Sequence, residues 1–362
     1  MLSLGFMALS LTSESQYFTE IARRAEKFDI SCFRFIPSKI HPLTEKVMGE
    51  RFDYQQKKWI SDEFTIPEYL YDRCFYIEDT HSTQCRSIVN WLKTRKDITF
   101  LGYGLPDKLK IFTELTQSKL APYLIKTEAF QSAVHLLESL KKTPKILIKP
   151  SSGSGGFNIY YFQKTNTGVL VKTNKGEKQL SHLFLDEYQL SRWIDRLLVH
   201  NQFLMQPYLP LTNKEGQPFD LRILLQKNNQ EEWKIAGKAI RQGKAGSLVS
   251  NLQQGASSLE FEKWFSQQPD RTKSYLLDEL DDLLTSLSHQ LEKTFSPLFE
   301  IGVDIGLSSD GALWILDINS KPGRKALLDT IPGIEERLYT APLYYAKALN
   351  QMEGNGKGET IK

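Results

Sequence analysis

The chain has 362 residues, 40% of them apolar and 25% charged, as in ordinary folded proteins of two or three domains. Its 46 basic and 43 acidic side chains give a net charge of +3, which is too small to favour nucleic acid or a membrane surface as partner. Three cysteines without metal-ligand spacing predict a reducing, cytoplasmic setting, and no apolar run reaches transmembrane length, so membrane insertion is not expected.

The first hundred residues predict an α/β domain. Because no basic residues precede it, the apolar start favours a buried strand over a signal peptide. The predicted elements are a strand at 2–9, a helix at 13–28 capped by Ser13, a strand at 30–35, short apolar runs at 68–76 and 98–100, and a helix at 83–93. The Gly/Pro-rich segment Gly102–Pro106 predicts a boundary, which defines an N-terminal domain of residues 1–105.

A glycine-rich loop follows two predicted helices at 107–118 and 127–141. An apolar strand ends at Lys149, passes through a Ser/Gly loop at 151–156, and resumes as a second apolar strand. Glycines allow backbone N–H groups to approach phosphate oxygens closely, and Lys149 would add an ammonium group there. The loop is not a P-loop, since no Gly-Lys-Ser/Thr follows. The alternative is a flexible hairpin turn.

Two further strands carry polar groups at regular spacing. The strand at 203–210 breaks at Pro207, which would free backbone groups near Gln206 and Leu209 for contact with a purine edge. Asp220 and Arg222 alternate with apolar residues and therefore share one face of a strand, where a buried charge needs a partner. The alternative is a plain antiparallel sheet with one polar face.

A hairpin near the end of the chain carries the most informative pattern. Two apolar strands, 302–306 and 314–319, flank an Asp-Gly turn, and Asp304, Asp317 and Asn319 fall on one face. Two carboxylates and an amide oxygen would repel one another unless a cation lies between them, and this oxygen set suits Mg²⁺. The alternative is an exposed hairpin with solvated acids.

The order of these motifs resembles that of an ATP-grasp domain. The resemblance spans 107–345 and implies an α/β (α+β) ATP-grasp fold over 106–350, with a pre-ATP-grasp domain before it. The Gly-rich end of the chain separately predicts a disordered tail at 351–362. It also implies one or two Mg²⁺ ions and ATP as ligands. The implied residues are Lys108, Lys149, Ser152, Gly153, Gly155 and Gly156 for the phosphates, Gln206, Pro207, Tyr208 and Leu209 for adenine, Asp220 for ribose, and Asp304, Asp317 and Asn319 for the metal.

Two branches of the superfamily are similar in detail. The segment 240–255 resembles ribosomal-protein glutamate ligases, but Val249 and Ala256 depart from that branch's Arg and Gly, which favours a different substrate or lost chemistry. Segments at 35–38, 47–49 and 66–74, with Trp59 and Trp314, resemble the YheC/YheD group, ATP-grasp proteins described as endospore coat-associated.

The resemblance implies an ATP-dependent ligase that activates a carboxylate as an acyl phosphate and joins it to an amine. Arg241 would stabilise the transferred phosphoryl group with Asn251 nearby, and Arg222 would contact the acceptor carboxylate. The substrates would be a peptide, an amino acid or a cell-surface precursor. The alternatives are an ATP-binding structural protein associated with spore-coat proteins, and phosphoryl transfer to another acceptor.

Overall fold

A computed structural model describes residues 1–151, 156–176, 178–199 and 201–358. Within these ranges the strands form two six-stranded sheets and one five-stranded sheet. The helices are α1 (Ser15–Ala25), α2 (Thr80–Leu92), α3 (Lys108–Leu115), α4 (Ala133–Lys142), α5 (Glu187–Leu198), α6 (Phe261–Ser266), α7 (Asp270–Thr294), α8 (Lys325–Thr330) and α9 (Ile334–Gly358). No helix in the described ranges has both the length and the apolar character needed to cross a bilayer.

The first sheet has the order β4-β3-β2-β1-β5-β6. Its strands are β1 (Leu2–Met7), β2 (Ile30–Phe35), β3 (Lys46–Asp53), β4 (Lys58–Thr65), β5 (Tyr69–Asp72) and β6 (Thr99–Phe100). Strands β1 and β2 are parallel and joined through α1, so the predicted β-α-β unit is confirmed. The predicted cap is wrong: the Ser13 hydroxyl lies 2.8 Å from that of Ser10, and α1 begins at Ser15 after Glu14, whose φ is 56°.

The second sheet has the order β11-β10-β9-β8-β12-β7. Its strands are β7 (Glu128–Phe130), β8 (Lys145–Pro150), β9 (Tyr160–Lys164), β10 (Val169–Lys175), β11 (Lys178–Phe184) and β12 (Phe203–Pro207). Helices α4 and α5 cover one face, where Ile146 and Ile148 join their core. The helix predicted at 127–141 begins later, because its first residues form β7 and pair with β12, and because Ser132 accepts the His135 N–H and caps α4.

The third sheet has the order β15-β14-β13-β16-β17 and positions the functional side chains. Its strands are β13 (Phe219–Lys227), β14 (Trp233–Gln242), β15 (Ser257–Glu260), β16 (Glu300–Leu307) and β17 (Leu313–Asn319). Helix α7 covers its apolar face with leucines spaced three and four residues apart, which is the spacing of one helix face. The opposite face packs partly against α8 and α9 through Leu224 and Ala239, and elsewhere it carries buried charged side chains.

Helix α9 returns to the first sheet. Tyr339 and Leu343 of α9 share a core with Leu4, Phe18 and Phe299, so the segment at 102–106 separates two sheets but not two independent cores. The helix continues through residue 358, into the tail for which disorder was predicted, because each further residue adds a hydrogen bond to a helix already held by packing. Residues 359–362 lie outside the described part, and the domain division at 105 stays a prediction.

Candidate active site

The hairpin of β16 and β17 forms as the sequence predicts. Asp304 pairs directly with Asp317, which places both carboxylates on one face, and Asn319 lies one pleat further on, opposite Gly302. A register shift beside Asp304 leaves Leu316 without a partner in the ladder. A Cβ at Gly302 would lie 3.1 Å from the Asn319 Oδ1, so this glycine makes room for the amide oxygen.

Asp304 is neutralised by arginines rather than by a shared cation. Arg222 Nη1 donates to one of its oxygens at 2.6 Å, and Arg241 Nη2 lies 2.7 Å from the other. Burial alone would raise the pKa of Asp304, but the charges of Arg241 and Arg222 hold it well below its usual range. Arginines of β13 and β14 thus offset the charge of Asp304 next to Asp317, and the assignment of Asp304 to a metal stays a prediction.

Asp220 completes this charged row. Arg241 binds it through Nε and Nη2 at 2.8 and 2.9 Å, and the Ser250 hydroxyl donates to the same carboxylate. Burial raises the pKa of Asp220, while the Arg241 charge opposes the rise. Four charges thus alternate along one face in the order Asp220, Arg241, Asp304, Arg222, and Asp220 and Arg222 share a face as predicted.

Two lysines meet at Asp317. Lys108 at the start of α3 places its Nζ 2.8 Å from Asp317 Oδ1, and Lys149 at the end of β8 donates to the carbonyl oxygen of Leu316 at 2.9 Å. That carbonyl belongs to the residue left out of the hairpin ladder. Burial lowers the pKa of Lys149 to about 8; Asp317 opposes this shift and Lys108 adds to it.

Two oxygens at this cluster have no hydrogen-bond partner among the described residues. Asn319 Oδ1 is buried and accepts no hydrogen bond, and Asp317 Oδ1 has the Lys108 ammonium nearby without hydrogen-bond geometry. Within the described residues no group of three or more His, Cys, Asp or Glu side chains could hold a metal. A carboxylate with an amide oxygen, completed by phosphate and water, is nevertheless a set that Mg²⁺ accepts. Asp317 and Asn319 therefore fit the predicted ion, whereas both oxygens of Asp304 already bind arginines.

The glycine-rich loop lies only partly within the described structure. Ser152, Gly153 and Gly155 fall outside the described residues. Gly156 has a φ of +71°, and a Cβ there would lie 3.0 Å from the Cβ of Asn251. The Asn251 side chain accepts the Gln253 N–H at 2.9 Å, which caps a 3₁₀ turn. The end of the loop therefore contacts the segment predicted to serve the transferred phosphoryl group.

The predicted adenine-binding segment is largely bonded within the protein. Gln206 donates to Thr127 Oγ1 at 2.6 Å, the Tyr208 N–H donates to the Lys145 carbonyl at 3.0 Å, and the Leu209 carbonyl accepts a hydrogen bond at 2.9 Å. The break after Pro207 thus leaves fewer free backbone groups than the sequence suggested, because Lys145 of β8 uses the Tyr208 N–H and Leu211 of the same segment uses the Leu209 carbonyl. The Tyr208 ring lies edge-on to that of Tyr161, with centroids 4.8 Å apart.

Sequence reasoning missed Glu300 at the start of β16, which is the centre of a second buried charge cluster. Its carboxylate accepts from Tyr71 Oη at 2.5 Å and from Arg324 at 2.6 Å, and lies 3.2 Å from Arg73. Arg73 also donates to the carbonyl of Pro322, in the loop that follows Asn319. The signals were a glutamate at the edge of an apolar strand and the run Tyr71-Asp72-Arg73 at the end of β5, which forms a contact between sheets.

Comparison with known proteins identifies the family. The family model described as "YheC/D like ATP-grasp" matches residues 97–349. The chain is also 38% identical over 344 residues to the endospore coat-associated protein YheC of Bacillus subtilis (strain 168), covering 95% of this chain and 94% of that one. This chain belongs to the YheC/D-like ATP-grasp family.

Solved structures show that the fold of this YheC/D-like protein is that of ATP-grasp ligases. D-cycloserine synthetase DcsG superposes with a TM-score of 0.57 at 12% identity, covering 97% of this chain and 99% of that one. D-alanyl-alanine synthetase A from Vibrio cholerae O1 biovar eltor str. N16961 superposes with a TM-score of 0.52 at 12% identity, covering 95% and 98%. At such identities the likeness concerns the fold alone, and the predicted fold class is confirmed.

Proposed function

We propose that this protein is an Mg-ATP-dependent carboxylate–amine ligase. The observation that carries the proposal is the cluster of Lys108, Lys149, Asp317 and Asn319, in which two ammonium groups converge beside oxygens that lack hydrogen-bond partners. Such a cluster can hold a polyanion together with a divalent ion. An α+β fold shared with ligases supports the same conclusion.

Lys108, Lys149 and the loop 152–156 are assigned to the triphosphate. Lys149 is partly neutral near pH 8 in the free protein, and an approaching phosphate would restore its full charge. The segment Gln206–Leu209 is assigned to the adenine. We assign Asp220 to holding Arg241 rather than to the ribose, because both of its oxygens are already bonded.

Asp317 and Asn319 are assigned to one or two Mg²⁺ ions, which when bound would offset charge on the phosphates. Lys108 lies on Asp317 Oδ1 and would move to a phosphate oxygen as the carboxylate takes up its ligand. Asp304 acts indirectly, by holding the guanidinium groups of Arg222 and Arg241 in position.

Arg241 is assigned to the transferred phosphoryl group. Its Nε and Nη2 bind carboxylates, while its Nη1 forms no hydrogen bond among the described residues and is available to donate to a phosphoryl oxygen. A substrate carboxylate oxygen attacks the γ-phosphorus, the bond to the β-phosphate oxygen breaks, and ADP leaves. An amine then attacks the acyl carbon, loses a proton and displaces phosphate. Asn251 lies against Gly156 at the end of the glycine-rich loop, which can cover this intermediate. Arg222 orients Asp304 instead of binding substrate.

Positional isotope exchange tests this assignment before the amine is known. ATP labelled with ¹⁸O at the β–γ bridge is incubated with Mg²⁺ and pools of amino acids or short peptides, because reversible γ-transfer scrambles the bridge oxygen. Scrambling that requires a carboxylate pool supports the ligase, and Asp317→Asn with Asn319→Ala should abolish it. Tight Mg-ATP binding without scrambling for any pool would instead favour the non-catalytic, ATP-binding structural protein.

The site of action is proposed from the relatives. The 38% identical protein carries the name endospore coat-associated, and a second relative, 24% identical over 321 residues, carries the same description. We propose that this protein likewise acts in the cytoplasm of a sporulating cell on a precursor that reaches the coat. Fluorescent fusions followed through sporulation would test this, and uniform fluorescence with no enrichment at the forespore would contradict it.

A further inference from the structure

A groove on the second sheet lies away from the candidate active site. It has a volume of about 550 Å³ and runs between β10 and β11 on one side and α5 on the other. Ile146 and Ile148 of β8 pack on the helix-covered face, while Lys149 reaches the opposite side toward Leu316. The groove therefore lies on the sheet face that does not carry the phosphate-binding lysine.

The floor of the groove is aromatic. The Trp193 ring of α5 lies 5.4 Å from that of Tyr160 and 5.7 Å from that of Phe184, and the His182 ring lies edge-on to Phe184 at 4.4 Å. At the rim, Tyr188 is 68% exposed and Leu180 is 49% exposed. Apolar side chains of this size that remain open to water within a groove typically mark a binding surface.

The walls of the groove are basic. Arg192 and Arg196 project from successive turns of α5, both are exposed, and no carboxylate is among the described lining residues. The Arg192 guanidinium lies 5.9 Å from the Tyr188 ring centroid, and Arg196 Nε donates to the Arg192 carbonyl at 3.2 Å. An acidic ligand would thus meet two guanidinium groups that are not occupied by ion pairs with described residues.

One side of the groove is an open sheet edge. Strand β11 pairs with β10, and among the described strands it has no neighbour on its other side. Six of its seven residues are exposed, and after Lys178 it contains neither proline nor a further lysine, the usual blocks against edge pairing. An extended peptide could therefore add a strand to β11 while its side chains enter the groove.

We propose that this groove binds an extended acidic segment of a protein partner. Acidic side chains of the segment pair with Arg192 and Arg196, apolar ones pack on Trp193 and Phe184, and its backbone pairs with β11. The partner is acidic because the walls of the groove are positively charged. It is an extended polypeptide and not a compact anion because the edge of β11 offers unpaired backbone groups.

The test uses the full-length protein and a fluorescein-labelled peptide in which Glu alternates with Leu and Phe. Fluorescence anisotropy should show binding at least about ten-fold tighter than for the same peptide with Lys in place of Glu. Backbone N-methylation at alternate residues should weaken binding, because it removes the donors that pair with β11. Arg192→Glu with Arg196→Glu should reduce affinity at least about ten-fold, whereas Arg271→Glu, at an exposed arginine of α7, should not.

Several outcomes would overturn the proposal. These are an affinity weaker than about 1 mM for the acidic peptide, equal binding of the lysine peptide, or an unchanged affinity in the double reversal. A dimer in sedimentation that dissociates with the double reversal would assign the groove to a second copy of the chain. The melting temperature with Mg-ATP should be the same in the double reversal, in Arg271→Glu and in the parent protein. Failure of the groove proposal can therefore be distinguished from failure of the proposed ligase function.

Discussion

Raising the pH should weaken ATP binding through Lys149. This side chain donates to the Leu316 carbonyl beside Asp317, and burial lowers its pKa to about 8. In the proposed site the protonated form would hold phosphate oxygens, and contact with phosphate favours the charged form, so the pKa should rise in the complex. Affinity should therefore be nearly full at pH 7 and below, and should fall as the pH rises through 8.

The magnitude follows from the pKa. With a value of about 8 in the free protein, nearly all Lys149 side chains are charged at pH 7 and roughly one in ten is charged at pH 9. If binding requires the charged form, the Kd of ATP should rise about ten-fold between these pH values, which corresponds to about 1.4 kcal/mol.

Isothermal titration calorimetry with ATP at constant Mg²⁺ measures this directly. The matched control is Lys149→Arg, in which a guanidinium stays charged over the whole range, so its Kd should change little between pH 7 and pH 9. A wild-type Kd that is the same at both pH values would refute the reasoning. So would an equal decline in the arginine variant, because the titrating group would then lie elsewhere.

Three further predictions concern the third sheet. Arg222→Met should lower the free energy of unfolding in urea by about 3 kcal/mol, because Asp304 loses one of its two guanidinium partners, and adding Asp304→Leu should recover part of the loss. Gly302→Ala should cost about 1–3 kcal/mol by the same assay, because the new methyl group would lie 2.7 Å from the Pro322 Cβ, and it should weaken Mg²⁺-dependent ATP binding, because the methyl group would also lie 3.1 Å from the Oδ1 of Asn319, a proposed metal ligand. Asp317→Asn with Asn319→Ala should abolish the extra thermal stabilisation that Mg²⁺ gives with ATP, while the ligand-free melting curve changes little; an unchanged Mg²⁺ effect would rule out the metal assignment.

The sequence contained enough information to place the hairpin side chains. Alternation in two apolar strands around an Asp-Gly turn defines which residues share a face, so Asp304, Asp317 and Asn319 were predicted together. Alternation within β13 likewise placed Asp220 and Arg222 on one face. These patterns are local, because each can be recognised from the alternation of side chains along a single strand.

The partners of those side chains could not be predicted in the same way. That Arg222 and Arg241 bind Asp304 depends on the register of β13 against β14 and β16, which is set by strands far apart in the sequence. Glu300 and Arg73, more than two hundred residues apart, meet only because the first and third sheets pack together. Strand pairing of β7 with β12 similarly overrode a helical pattern at 127–141.

The return of α9 to the first sheet determines when the protein can fold. Arg24 and Glu336, which form an ion pair, are 312 positions apart, and Tyr339 and Leu343 complete the core around Phe18. During synthesis this apolar surface stays exposed until the last helix leaves the ribosome, at roughly 5–20 residues per second. Contacts of such high sequence separation also form slowly. A chain released before α9 would retain the residues proposed for nucleotide binding but leave the apolar surface of the first sheet exposed, so nascent chains of this protein are expected to engage chaperones from their first sheet onward.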